Sequence, residues 1–321
     1  MALMCLVPTD DWDASFFKVL ASNDTGDARG HQGGIVVPKD LRGFFPGLSE
    51  AGTSALQPTA DRRLTAELFL ENRYLGTVST RYQYQTWGGT RTAESRLTDQ
   101  LVPLRSQASV NDVLIMQRNT SRLDLFRLTL VRKSSPDYPV VTAATAGRRW
   151  GVIGAVPPLS QRELDKAFGD EEATEGQPFS MFESEPAVVE SKVRKIARSV
   201  AFRETVSRLY EYTCVACGSA LRSPMGIVEL DAAHIVPRSK SGTDDARNGI
   251  ALCKRHHWAF DGGLFGISND MKVIVPKCVG KMVENSPLQD LSGCPIRRPS
   301  EKLLSPHPDA IEWHRVNVLL H

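Results

Sequence analysis

No run of apolar residues in this chain reaches the roughly 18–20 that a membrane-crossing helix needs, which excludes that class of integral membrane protein. The opening residues, MALMCLVPTDDWD, lack a basic segment before their short apolar start and turn acidic at once, so no secretion signal is expected and the chain is expected to stay in the cytoplasm. An excess of charge is missing too. Lys and Arg number 39 against 37 Asp and Glu, a net +2 that argues neither for nor against a polyanionic partner. There is no internal repeat and no low-complexity tract, which argues against a solenoid or a disordered tail. Six cysteines in a long chain without a secretion signal favour reduced thiols or metal ligands over a disulfide framework.

What is present is organised unevenly. A length of 321 residues suggests two domains. Up to about Phe168 the chain reads as many short strands: GGIVVP (33–38), LTAELFLENRYLG (64–76), DVLIMQR (112–118), and the period-two pattern LDLFRLTLVRK (123–133). A helix is expected over 159–169, closing this part. Residues 170–186, DEEATEGQPFSMFESEP, read as an acidic linker. From Asp170 to Glu190 there are seven acidic residues and no basic one, whereas Lys192 to Arg222 holds seven basic residues against Glu204 and Glu211. By itself that pattern fits a solvated linker followed by a solvated helix face as well as it fits a binding surface. Val189, Val193, Ile196, Val200, Val206 and Leu209 are spaced for one or two amphipathic helices. The expected divisions are 1–169, 170–186 and 187–321, with an α+β fold overall.

The chemistry concentrates in the last third. Cys214-Val-Ala-Cys217 can bring two thiolates to one ion across a tight turn, or act as a redox dithiol. Cys253-Lys-Arg-His256 supplies a second pair at the same spacing, which favours a closed tetrahedral Zn²⁺ site with a structural role. Between the pairs, His234 ends a short apolar strand and Asn248 precedes Gly-Ile-Ala-Leu. His257 follows the second pair, with Asp261 four residues on and on the same helical face.

His234-Ile-x-Pro, Asn248-Gly-Ile-x-Leu-Cys253 and His256-His257-x-x-x-Asp261 resemble the HNH endonucleases of the ββα-metal fold, over about residues 190–321. The stretches AFRETVSRLYEYTC, GCPIRRP and IEWHR share in the resemblance. It implies hydrolysis of DNA phosphodiesters, with His234 as general base, Asn248 orienting the loop that carries it, and His257 ligating a catalytic Mg²⁺ or Mn²⁺. Many members carry Asp or His just before the base. This chain has Ala233 there, which shifts the expected second ligand to Asp261, with Asp231 a more distant substitute.

The N-terminal part carries a second resemblance. Asn23-Asp24-Thr25-Gly26, then Gly30-His31-Gln32, an apolar strand and Pro38, followed by Arg73, Gly76 and Trp87-Gly88-Gly89, resemble the effector domain of the restriction enzyme EcoRII, over roughly residues 10–165. That resemblance implies a mostly-β DNA-binding pseudobarrel akin to the plant B-three domain, holding the major groove with two arms. His31 would lie on the first arm and Arg73 on the second, with Arg81, Tyr82 and Gln83 at base-reading positions and Trp87 beside them. The segment 73–91 mixes cations, amides and aromatics without an acid, a composition suited to DNA contact. Together the two parts imply a restriction endonuclease acting on double-stranded DNA, as a homodimer, with a partner DNA methyltransferase. Two rival readings stand: a nuclease that cuts only modified DNA, and a non-catalytic DNA-binding module in which zinc serves folding alone. Cys5, Cys278 and Cys294 are expected to be buried thiols.

Overall fold

The structure is a computed structural model and describes residues 4–6, 9, 11–25, 33–48, 53–54, 57–87, 92–183 and 191–320. The chain divides into two compact units, Met1–Glu163 and Leu164–His321.

In the first unit, eight strands make one sheet: β1 (Phe16–Val19), β2 (Ile35–Val37), β3 (Thr59–Leu70), β4 (Arg73–Gln85), β5 (Glu94–Thr98), β6 (Val113–Arg118), β7 (Leu125–Val131) and β8 (Trp150–Val152). Their order is β2-β5-β4-β3-β7-β6-β1-β8. Neighbours are antiparallel except β3 and β7, which run parallel with Thr65 opposite Leu125. Period-two alternation decides what each face buries. Phe16, Leu114 and Met116 enter a large apolar cluster with Phe45, Leu68 and Phe126, while Phe17, Val113 and Ile115 enter a second cluster with Cys5, Val141 and Ile153. Apolar cover on both faces explains why β6 opens on four apolar residues in a row, Val113 to Met116. Two short helices, α1 (Val102–Arg105) and α2 (Tyr138–Thr145), complete the unit.

The single strand expected over 64–76 is in fact the turn of a long hairpin. β3 ends at Leu70, Glu71 takes a left-handed φ of 56°, and β4 begins at Arg73. Glu-Asn lacks the glycine that marks such turns in a sequence, so the reversal was invisible.

Helix α3 (Gln161–Glu175) runs past the boundary expected at 169. Residues 170–175 of the acidic stretch are therefore helical, and Phe179 and Met181 beyond them pack on the core of the second unit. Phe179 stacks on His307 with ring centroids 4.2 Å apart. The part of the expected linker at 184–186 lies outside the described residues. α4 (Lys192–Leu209) is one helix, capped by the Ser191 hydroxyl, which accepts from the Arg194 amide. It packs on a hairpin of β9 (Asp231–His234) and β10 (Gly249–Leu252), and α5 (Lys254–Asp261) follows at once. A small hairpin, β11 (Gly266–Ile267) with β12 (Val273–Ile274), and helices α6 (Lys277–Gly280), α7 (Ser286–Gln289) and α8 (Pro308–Asn317) finish the unit. The IEWHR segment lies in α8. Its His314 is buried, stacks on Phe260 of α5 at 3.7 Å and is pushed down to about 4 by burial, so it is a neutral core side chain. Among the cysteines without a role, Cys5 is buried as expected, but Cys278 and Cys294 are exposed.

No helix among the described residues is long and apolar enough to cross a membrane.

Candidate functional site

Cys214, Cys217, Cys253 and His256 converge so that one ligand atom from each lies within 4.8 Å of the others. Local backbone dictates this. Gly218, at a left-handed φ of 69°, lets its amide return to the Cys214 carbonyl at 2.8 Å, closing the first turn. The Val215 amide donates to Ala251 O at 2.9 Å, tying that turn to β10. Cys253 is the N-cap of α5, which puts His256 on the first turn with Nδ1 3.1 Å from Cys253 Sγ and 3.5 Å from Cys214 Sγ. Tetrahedral zinc with ordinary Zn–S and Zn–N lengths would separate its ligand atoms by about 3.5–3.8 Å, so the cluster fits such an ion with small adjustment. Burial lowers the His256 imidazole from its ordinary value, which keeps it in the neutral form that ligates metal.

Eleven residues of chain separate Val236 from Asn248, and Asn248 holds that loop closed. It is fully buried. Its Oδ1 accepts from Val236 N at 2.9 Å, and its Nδ2 donates to Val236 O at 3.1 Å and Thr243 O at 2.8 Å. His234 ends β9 opposite Gly249. A Cβ at Gly249 would meet Val206 at 2.5 Å and Phe202 at 2.8 Å, so only glycine lets α4 approach this closely. The approach is used: the Phe202 ring stacks on the His234 imidazole at 3.9 Å and 11°.

His234 Nε2 lies 3.0 Å from Asp244 Oδ1. An ionised carboxylate only accepts, so this ring nitrogen carries a proton, and in the neutral ring Nδ1 is the nitrogen with the lone pair. Asp244 also pairs with Arg198 at 2.5 Å and Arg238 at 3.6 Å. Burial would raise the Asp244 carboxyl, but His234 and the two arginines outweigh it and hold it below its ordinary value. Glu183 joins the same group, pairing with Arg238 at 2.8 Å and with Arg198. Its backbone amide donates to Ser241 O at 2.8 Å, and the Thr243 amide donates to Met181 O at 3.2 Å. Neither acid was singled out from the sequence. Asp244 sits beside Asp245 in a polar loop, and Asp245 instead caps the turn before Asn248, accepting from the Arg247 amide at 2.8 Å. Nothing in the order of residues tells the two apart.

On α5, His257 and Asp261 share a face with Nε2 and Oδ2 3.3 Å apart. The other ring nitrogen, Nδ1, lies 3.0 Å from Asp231 Oδ2, and Lys254 Nζ lies 2.7 Å from Asp231 Oδ1. Partial burial would raise Asp231, but His257 and Lys254 dominate and hold it at about 2. Its bond to Asp231 raises the His257 imidazole above its ordinary value. Asp261 is raised by desolvation, against the pull of both His257 and His234, which puts all three in one electrostatic neighbourhood. One imidazole and one half-exposed carboxylate suit a hard divalent cation that keeps several waters. Ala233 is fully buried and adds no donor.

The residues expected to read DNA fare differently. His31 lies outside the described residues. Arg73 is exposed at the start of β4. Arg81 is half-buried, its Nε donating to Thr98 Oγ1 at 3.3 Å. Trp87 follows β4 at a left-handed φ of 54° and is half-buried. Tyr82 and Gln83 do not present themselves at the surface. β4 is an interior strand, Tyr82 is 2% exposed with its ring stacked on Phe45 at 4.8 Å, and Gln83 is 3% exposed. Position along a sequence motif could not reveal that both faces of this strand are covered. Asp24 of the N-terminal motif is an internal anchor: it pairs with the buried Lys18 at 2.7 Å and accepts from the Ala21 and Val36 amides at 2.8 and 2.9 Å.

Residues 214–268 match the family model described as HNH endonuclease, so this stretch is an HNH endonuclease domain. No curated protein matches the chain. Similar solved structures include a modification-dependent restriction endonuclease, TagI, at 26% identity and a TM-score of 0.30, covering 37% of this chain and 39% of that one. The B3 domain of the UbaLAI restriction endonuclease with cognate DNA is 20% identical with a TM-score of 0.33, covering 49% of this chain and 90% of that one. The N-terminal domain of Helicobacter pylori LlaJI.R1 is 10% identical with a TM-score of 0.28, covering 44% and 98%. These scores are too low to establish a shared fold, and the match to TagI spans well under half of that chain.

Proposed function

We propose that this chain is a divalent-cation-dependent restriction endonuclease that hydrolyses double-stranded DNA at selected sites. The observation that carries the reading is the pairing of two oriented histidines in one ββα unit: His234 backed by Asp244, and His257 backed by Asp231 and set against Asp261.

With Nε2 engaged by Asp244, the His234 Nδ1 lone pair is the base. It takes a proton from a water whose oxygen forms the new bond to phosphorus, while the bond from phosphorus to the leaving sugar oxygen breaks. Phe202 and Asn248 keep that ring and its loop in place. A Mg²⁺ or Mn²⁺ held by His257 and Asp261 would supply Lewis-acid stabilisation of the phosphate charge. Zn²⁺ at Cys214, Cys217, Cys253 and His256 would cross-link the loop before β9 to the start of α5. The N-terminal unit, as a B-three-like pseudobarrel, would select the site, with His31, Arg73, Arg81 and Trp87 as its contacts; Tyr82 and Gln83 are left out because they are buried. One centre cuts one strand, so a double-strand break calls for a homodimer, and a host carrying the enzyme needs a methyltransferase to protect its own sites.

The test is cleavage of supercoiled plasmid, methylated and unmethylated, by wild type and His234→Ala with Mg²⁺, Mn²⁺ or EDTA. Defined ends on unmethylated DNA, lost in EDTA and in His234→Ala, are expected. Cutting confined to methylated plasmid would make the protein modification-dependent. No cutting under any cation, with DNA binding retained, would reduce it to a binding module.

A further inference from the structure

Helix α5 buries His256, Ala259 and Phe260 and turns Lys254, Arg255, Trp258 and Asp261 outward. Trp258 is 71% exposed, the most exposed of the five tryptophans; Trp12 is 7% exposed, Trp150 is 43% exposed with its Nε1 donating to Asp40, and Trp87 and Trp313 are half-buried. Trp258 is a large apolar ring left in water on the helix that carries His257 and Asp261, so a substrate held by those two residues would lie against it. Trp258 adjoins His257 in the chain and lies one helical turn from both Lys254 and Asp261.

We infer that Trp258 is a DNA-contacting side chain that wedges into the base step adjoining the scissile phosphate and partly unstacks it. The inference rests on the nuclease reading and fixes where its substrate lies. A phosphate bound at His257 and Asp261 puts the next nucleotide a single step away, about 3.4 Å of rise along one strand. Neighbouring turns of a helix place their Cβ atoms about 5–6 Å apart, so an indole at 258 reaches that nucleotide from the same face. The charge of the face selects the occupant. Arg255 is exposed beside the ring, Lys254 is exposed although paired with Asp231 at 2.7 Å, and the cation would lie between His257 and Asp261, so a polyanion whose bases can take up an apolar wedge fits these features together. A second protein surface seated on the indole would instead cover the cation position and stop the reaction.

The experiment uses the full-length protein and a duplex of about 30 base pairs containing a mapped cleavage position, with Ca²⁺ for binding and Mg²⁺ for cutting. 2-Aminopurine is placed at the step beside the scissile phosphate. Wild type is expected to change the 2-aminopurine fluorescence on binding, and Trp258→Ala to abolish that change and weaken binding roughly 5- to 150-fold, as loss of one base–aromatic stack does. Trp258→Phe should restore most of both, and neither variant should lower the melting temperature. Wild-type fluorescence, affinity and cutting in Trp258→Ala would overturn the inference while leaving the nuclease reading intact. So would a change in sedimentation with DNA affinity unchanged, which would make the ring a contact between copies. If wild type neither binds nor cuts DNA, the nuclease reading fails and this inference falls with it.

Discussion

Asp231 Oδ2 and His257 Nδ1 meet at 3.0 Å, and that contact turns the opposite nitrogen of the ring toward Asp261. Asp231 would thus act on a cation through His257, the histidine proposed to hold it. Carboxylates behind a metal-binding histidine fix its tautomer and typically govern affinity by 10- to 100-fold. Asp231→Asn should therefore shift the Mn²⁺ or Mg²⁺ concentration for half-maximal cutting upward by about that factor. Saturating cation should restore most of the rate, and zinc content should be unchanged. A cation titration of plasmid nicking checks this.

Asp244→Asn should act on rate rather than on cation demand. The amide can present its NH₂ group to His234 Nε2 and favour the wrong tautomer. A general base contributes about 10²- to 10⁴-fold, and disturbing its orientation should lower the rate roughly 10- to 100-fold. Single-turnover cutting at saturating DNA and cation should show a smaller loss for Asp244→Asn than for His234→Ala.

Asn248→Ala should cost stability and activity together. It strips partners from Val236 N, Val236 O and Thr243 O in a buried loop. Leaving such groups unsatisfied costs about 2–4 kcal/mol in total. Calorimetry should show a lower transition for the second unit, and nicking should fall toward that of His234→Ala.

Removing zinc should unfold the second unit before the first. Metal binding by such clusters is itself folding free energy. Elemental analysis is expected to give one zinc per chain, lost in Cys214→Ser. Strong chelation should abolish the cooperative transition of the nuclease unit, and Mg²⁺ alone should not restore it.

Glu171 predicts a pH dependence of stability. Burial raises its carboxyl to about 8, with Asp244 and Glu175 adding to the rise, and Thr205 and Arg208 opposing it. The folded state therefore keeps a proton that the unfolded chain releases near the ordinary value of about 4.5. Its contribution is fully present below that value and is lost progressively as pH climbs to about 8. Glu171→Gln should flatten this decline, raising the melting temperature by several degrees at pH 8.5 and hardly at all at pH 4.5. Equal effects at both pH values would contradict it.

The residues of the candidate centre were the most legible part, because they lie at fixed spacings on short local elements. The Cys-x-x-Cys and Cys-x-x-His turns, the strand-ending His234 and the four-residue step from His257 to Asp261 are each set by a few neighbouring residues. What was not legible depends on pairing across distance. Asp244 reaches His234 only because Asn248 folds the loop back, and Asp231 meets His257 only through the β9–α5 packing. In the N-terminal unit, apolar content marked β6 and period-two alternation marked β7, but neither said anything of strand order. The parallel β3–β7 pairing and the interior position of β4, which hides Tyr82 and Gln83, are properties of the sheet and of no single segment.

The short run from Phe179 to Glu183 has a last consequence. It lies ahead of the Cys-x-x-Cys turn and the His234, Asn248 and His257 motifs, yet its backbone is stitched to the loop carrying Asp244 and its acid pairs with Arg198 and Arg238. The cutting module is thus not portable from residue 187 onward. A graft of this unit onto a different N-terminal part would keep these contacts only if the crossover falls upstream of Phe179.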